Sequence, residues 1–109
     1  MKISEYQIKS KEFDLNKNIA YYFAGLAGES GEVVEEFAKS IRDDDGFFTE
    51  KRLLRLRDEL GDVLWFVATL ARKFNWDLEE IAGDNIIKLS RRKEMKTIMD
   101  KGRNETIEV

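Results

Sequence analysis

Apolar residues recur three and four positions apart along most of the chain, without the alternation that is typical of strands. No proline interrupts this pattern. The spacing therefore predicts an all-α protein that folds as a four-helix-bundle-like single domain over residues 1–109.

Helix boundaries follow from residues whose side chains cap helices. The expected helices cover about residues 4–13, 16–42, 49–74 and 77–93. Their expected N-caps are Ser4, Asn16, Thr49 and Asp77. The segment RDDDGFF at 42–48 separates the two long helices, and the tail at about 97–109 is expected to be irregular.

Composition narrows the chemistry that the chain can perform. It contains no cysteine and no histidine, which excludes disulfides, thiolate catalysis, histidine-dependent nucleophile systems and His-ligated zinc. A net charge of −3 does not favour nucleic-acid binding, and no apolar run is long enough to span a membrane. The N-terminus lacks the apolar middle of a signal peptide, so we expect a cytoplasmic protein. A chain of 109 residues buries a modest fraction of its surface, so oligomerisation would help its stability.

Two pairs of carboxylates share one spacing on the second and third helices, Glu29 with Glu32 and Glu59 with Asp62. At roughly 100° per residue, each pair falls beside the apolar stripe of its helix. The two stripes consist of Leu26, Val33, Phe37 and Ile41, and of Leu56, Val63, Val67 and Leu70. If the helices pack antiparallel through these stripes, the two pairs face each other across a groove.

Four converging carboxylates are unfavourable on their own. Two like charges about 5 Å apart repel by on the order of 3 kcal/mol at an effective dielectric of 20. A divalent cation removes this repulsion, and oxygen ligands suit Mg²⁺, Mn²⁺ or Ca²⁺. Gly31 and Gly61 lie inside the two pairs, where a side chain could crowd a phosphate. The spacing alone is also compatible with solvated helix faces.

The segments ESGE at 29–32 and ELGD at 59–62 resemble the E-x-x-E and E-x-x-D signature of the MazG-like nucleoside triphosphate pyrophosphohydrolases. Similarity extends to EYQ at 5–7, GLAGESGEVVE at 25–35, ELGDVLWFVATLA at 59–71 and LEEIAGDNIIKLSRR at 78–92. The resemblance implies the all-α MazG fold and cleavage of the α–β phosphoanhydride of a (deoxy)nucleoside triphosphate, giving monophosphate and pyrophosphate. It also implies a house-cleaning role and a homodimer or homotetramer.

The resemblance further implies which residues form the site. Metal binding and catalysis are expected of Glu29, Glu32, Glu59 and Asp62, with Mg²⁺ as the cofactor and Mn²⁺ as its substitute. Glu32 is the candidate that receives the proton of the attacking water. Substrate binding is expected of Lys39, Asn85, Lys88, Arg92 and Trp65.

Several of these residues have a second interpretation. Arg91 and Arg92 are equally consistent with a solvated basic helix end. Trp65 points off the apolar stripe, which suits either a nucleobase or a subunit contact. Glu36 could support the metal or form a salt bridge with Lys39.

Other functions are open at this point. A phosphoribosyl-ATP pyrophosphatase would use the same acidic residues on a specialised substrate. A non-catalytic helical module that binds metal or nucleotide, or a simple cation buffer, would bind without turnover. All four acidic positions of the signature carry a carboxylate, which argues against a non-catalytic module. The spacing of Asn85 and Lys88 favours a phosphate ligand, which argues against a simple cation buffer.

Overall fold

The computed structural model describes the backbone of residues 1–108 and the side chains of residues 1–101. Its four α-helices are α1 (Ile3–Ser10), α2 (Ile19–Asp43), α3 (Glu50–Lys73) and α4 (Leu78–Glu108). A 3₁₀ turn follows α1 at Lys11–Phe13. No strand occurs within residues 1–108, which confirms the all-α class.

Two of the predicted helix caps are present. Thr49 Oγ1 accepts a hydrogen bond from the backbone N–H of Arg52 at 3.2 Å, so α3 begins where the sequence predicts. Asp77 Oδ1 accepts one from the N–H of Glu79 at 2.9 Å, at the start of α4. These side chains satisfy backbone donors that the first turn of a helix leaves unpaired.

The other two predicted caps are wrong. Ser4 lies inside α1, which begins after Lys2 without a side-chain cap. Asn16 does not cap α2 because its backbone adopts the left-handed conformation (φ 52°), which asparagine tolerates in turns. Asn18 is the cap instead, and its Oδ1 accepts a hydrogen bond from the N–H of Ala20 at 2.9 Å.

The α2 and α3 helices form an antiparallel hairpin in which the predicted apolar stripes are partly buried. Leu26 and Val33 of α2 and all four stripe residues of α3 are half-buried. The buried residues of the two helices are Tyr22, Glu36 and Ser40 on α2, and Phe66, Ala68, Thr69 and Ala71 on α3. Phe37 and Ile41 of the apolar stripe of α2 are 52% and 54% exposed. Gly25 lets the ring of Phe66 approach the α2 backbone. The interface also includes a polar residue, since Glu36 is buried against Arg52 of α3.

Helix α1 lies against α3 and the start of α4. Gln7, which is buried, donates from Nε2 to the carbonyl oxygen of Trp76 at 2.9 Å and accepts at Oε1 from the N–H of Leu78 at 2.9 Å. Trp65 of α3 donates from Nε1 to the carbonyl oxygen of Ser10 at 3.1 Å. These bonds fix α1 beside the middle of α3.

The segment between α1 and α2 is held by a buried carboxylate. Asp14, whose side chain is 5% exposed, lies 2.6 Å from Lys73 Nζ and accepts a hydrogen bond from the hydroxyl of Tyr22. The backbone N–H of Asn16 donates to the same carboxylate at 3.0 Å. Asp14 therefore joins the loop to both long helices.

Helix α4 leaves the rest of the chain after its first turn. Leu78 is buried, but every residue from 79 to 101 is exposed. The radius of gyration is 19.5 Å, whereas a compact chain of this length has about 13 Å. The four predicted helices are present, but within a single chain most of α4 does not pack against the other three to complete a bundle. Over the described backbone, no helix is long and apolar enough to cross a membrane.

The predicted irregular tail is also wrong for the described backbone, since α4 continues to Glu108. The segment after Lys93 contains good helix formers and no proline or turn signal before Gly102, so nothing in it ends the helix. The side chains of residues 102–109 lie outside the described part of the chain.

Candidate metal centre

The acidic pairs of the two long helices meet between them. Glu29 of α2 and Glu59 and Asp62 of α3 each offer one carboxylate oxygen, and these oxygens lie within 4.8 Å of one another. Glu29 and Glu59 are partly buried, whereas Asp62 is exposed. The cluster is therefore open to solvent on one side and enclosed by the helix pair on the other.

Two oxygens of the cluster have no hydrogen-bond donor among the described residues. They are Glu29 Oε2 and Glu59 Oε2, and both are buried. Buried polar atoms are normally paired, because an unpaired one costs about 1–3 kcal/mol and more when it is charged. Hard oxygen donors that converge without protein partners are the ligands that Mg²⁺, Mn²⁺ and Ca²⁺ use. The residues present thus fit a divalent cation.

The pKa values of two glutamates in the cluster are raised, in part because neighbouring carboxylates repel one another. Hydrogen bonding with Glu32, burial and the charges of Glu32, Glu29 and Asp62 together raise the pKa of Glu59 to about 7. Burial, followed by the charges of Glu32 and Asp62, raises the pKa of Glu29. Without a cation, the cluster therefore retains a proton at pH values where an ordinary glutamate is ionised.

Glu32 and Tyr6 border this cluster. Glu32 is exposed, but it is near enough to raise the pKa of both Glu29 and Glu59. Burial, followed by the charge of Asp62, raises the pKa of the Tyr6 phenol. Sequence spacing could not indicate Tyr6, because its proximity to Asp62 depends on how α1 packs on α3.

Lys39 and Glu36 lie further along α2. Lys39 Nζ is 3.4 Å from Glu35 Oε1 and 4.0 Å from Glu36 Oε1. The predicted Glu36–Lys39 salt bridge is therefore present but long. The shorter partner of Glu36 is Arg52 of α3, at 3.2 Å, a contact that the sequence analysis missed.

The remaining candidates for substrate binding are not brought to the cluster by contacts within one chain. Asn85, Lys88 and Arg92 are exposed on α4, and none of the three has a hydrogen bond or salt bridge to a described residue. Trp65 is half-buried, with its ring 5.0 Å from that of Phe66 and 6.5 Å from that of Tyr22 between centroids. Its indole N–H is used by Ser10, so packing between helices already accounts for this residue.

Four helices and an oxygen-only acidic centre between two of them define an all-α protein with a candidate cation site. The chain matches the family model of the MazG nucleotide pyrophosphohydrolase domain over residues 17–97, and it belongs to that family. It is also similar to the Gene 37 protein of Mycobacterium phage L5, with 37% identity over 91 residues that cover 84% of this chain and 80% of that protein. No solved structure matches the chain significantly.

Proposed function

We propose that this chain is a Mg²⁺-dependent pyrophosphohydrolase that converts (deoxy)nucleoside triphosphates to monophosphates and pyrophosphate. The observation that carries the proposal is the cluster of Glu29, Glu59 and Asp62, with two buried oxygens that lack a donor among the described residues. Membership of the MazG family, which is generally metal-dependent, supports the reaction class. A cytoplasmic house-cleaning role, in which unwanted nucleotides are removed, belongs to the proposal.

The acidic residues divide into those that hold the cation and one that handles the proton. Glu29, Glu59 and Asp62 supply the ligands, and Glu32 stands at the exposed edge of the cluster. When bound, Mg²⁺ would neutralise phosphate oxygens and lower the pKa of a coordinated water. Water adds to the α-phosphorus, the bond from that phosphorus to the bridging oxygen breaks, and pyrophosphate leaves. Glu32 accepts the proton that the water loses.

Association of chains is the second part of the proposal. Among residues 1–101 of a single chain, few apolar residues are buried, namely Tyr22, Phe66, Ala68, Ala71 and Leu78. Large apolar residues are exposed on all four helices, including Ile86, Ile87 and Leu89 on α4. Exposed apolar surface of this extent is typical of an interface. A homodimer or homotetramer would cover it and could bring Asn85, Lys88 and Arg92 of one copy to the acidic centre of another.

The activity is tested with purified protein, Mg²⁺ and a panel of NTPs and dNTPs, with products separated by chromatography. Monophosphate and pyrophosphate should form, and both should be lost with EDTA and in Glu59→Gln. Asp58→Asn is the matched control, because it removes the exposed carboxylate next to Glu59 and should retain activity. Diphosphate with phosphate would mean that a different bond is cleaved, and no product from any triphosphate would favour a specialised substrate or a binding module.

The assembly is tested separately by light scattering after gel filtration. A mass of two or four times 12.8 kDa is expected for the proposed oligomers. A monomer at micromolar concentration would contradict this part of the proposal without affecting the assigned reaction.

A further inference from the structure

A second contact between charged side chains joins α2 to α3. It lies beyond the acidic centre, toward the C-terminal end of α2. Arg52 Nη1 lies 3.2 Å from Glu36 Oε2, and the side chains of the two residues are 11% and 7% exposed. Arg52 Nε also donates to Asp44 Oδ2 at 2.8 Å, just beyond the last turn of α2. Arg52 Nη2 is also 3.9 Å from Asp43 Oδ2, so one guanidinium contacts three carboxylates toward the C-terminal end of α2.

The position of this contact repeats that of the acidic centre. Glu36 follows Glu29 by seven residues (36 − 29 = 7), and Arg52 precedes Glu59 by seven (59 − 52 = 7). In an antiparallel pair, seven residues along each helix are two turns, or about 10 Å. The alignment that places Arg52 opposite Glu36 is thus the same alignment that places Glu59 opposite Glu29.

At the opposite end of the α2–α3 interface, the two helices are held by close packing of a side chain on the backbone. Phe66 follows Glu59 by seven residues (66 − 59 = 7), and its ring packs on the backbone of α2 at Gly25. The acidic centre lies between these two contacts. Because its carboxylates repel one another, the centre cannot hold the helices in register by itself when no cation is bound.

We infer that Arg52 and Glu36 are positioning residues that set the register of α2 against α3 and thereby assemble the cation ligands Glu29 and Glu59. This inference rests on the proposed function for its consequence and on the helix packing for its geometry. A buried ion pair suits this role, because registry is the best-attested use of such pairs. Arginine suits this position better than lysine, since its planar fork presents several N–H groups and binds Glu36 and Asp44 together.

The register can be measured without changing Glu29, Glu32, Glu59 or Asp62. Since the chain has no cysteine, Ser30→Cys and Asp58→Cys introduce two exposed sites for spin labels, one on each helix. Labelled chains are diluted with unlabelled ones, so that pulsed dipolar spectroscopy reports the distance within one chain. Arg52→Gln and Glu36→Gln should broaden or shift this distance, and Arg52→Lys should have a smaller effect.

The consequence for the site is measured by titration of the unlabelled variants with Mn²⁺ alone, at a temperature where circular dichroism shows each to be folded. Loss of a group that orients a ligand costs about tenfold in metal affinity, and that weakening is expected for Arg52→Gln. Arg55→Gln is the matched control, because it removes an exposed arginine of the same helix that has no hydrogen bond or salt bridge to a described residue. It should leave both the distance and the Mn²⁺ dissociation constant unchanged.

Each result decides the inference. An unchanged distance in both Arg52→Gln and Glu36→Gln would overturn it, as would a changed distance with an unchanged Mn²⁺ affinity. A variant that does not fold is replaced by Arg52→Lys, whose loss of the fork should still weaken Mn²⁺ binding relative to Arg55→Gln. Failure of the unmodified chain to bind Mn²⁺ would count against the proposed function, while the distance measurement would still decide the register.

Discussion

Gly25 lies so close to Phe66 that a Cβ atom at residue 25 would overlap Phe66 Cε1. The ring of Phe66 is 8% exposed and cannot easily move away. The absence of a side chain at Gly25 is therefore what allows α2 and α3 to approach at this level.

Gly25→Ala should consequently destabilise the protein by about 1–3 kcal/mol, the usual cost of overpacking. The measurement is chemical denaturation followed by circular dichroism. Gly28→Ala is the control, because nothing lies within 4 Å of a Cβ at that position. Because alanine has a higher helix propensity than glycine, Gly28→Ala should instead stabilise the chain by up to about 1 kcal/mol. Equal effects of the two substitutions would contradict the close contact.

Asp62→Asn and Glu59→Gln should each reduce kcat by about a hundredfold or more, because each removes a charged ligand of the proposed cation. In EDTA the same substitutions should raise Tm by a few degrees, since they relieve repulsion within the acidic centre. Both quantities are measured on the same preparations. A loss of activity together with a lower Tm in EDTA would indicate misfolding instead of a lost ligand.

The raised pKa of Glu59 makes the stability of the cation-free protein depend on pH. Below about pH 4.5 this carboxyl is protonated in both the folded and the unfolded chain, and its contribution is fully present. As the pH rises toward 7 the unfolded chain ionises first, so stability is lost. The difference in Tm between the unmodified chain and Glu59→Gln, in EDTA, should therefore grow between these pH values. Mn²⁺ affinity should rise over the same range, because binding requires the deprotonated carboxylate.

The Asp14 carboxylate shows the opposite behaviour. Burial alone would raise its pKa, but hydrogen bonds from Lys73, Tyr22 and Asn16, with the charge of Lys73, lower the pKa to about 2. Its stabilisation is thus complete above pH 3.8 and is lost as the pH falls through about 2. Asp14→Asn should cost about 2 kcal/mol near neutral pH and progressively less in acid. Asp43→Asn, at an exposed pair, should cost little at any pH.

Much of the helical content could be predicted from the sequence, because apolar spacing and caps such as Thr49 act locally. The meeting of Glu29 with Glu59 was also predictable, since equal spacings on antiparallel helices bring pairs together. The exposure of Phe37 and Ile41 was not predictable. The close contact at Gly25 and the Arg52–Glu36 pair were missed as well, because neither has a signal in the spacing of a single helix. Tyr6 was missed for the same reason.

The exposed length of α4 would tie the folding of this chain to its concentration under the proposed association. An isolated helix is marginally stable in water, and this one has apolar residues that no other part of the described chain covers. If a second copy covers them, mass action links helix formation to association. Dilution should then lower both the melting temperature and the helical signal, and the abundance of the protein in a cell would set the fraction that is able to work.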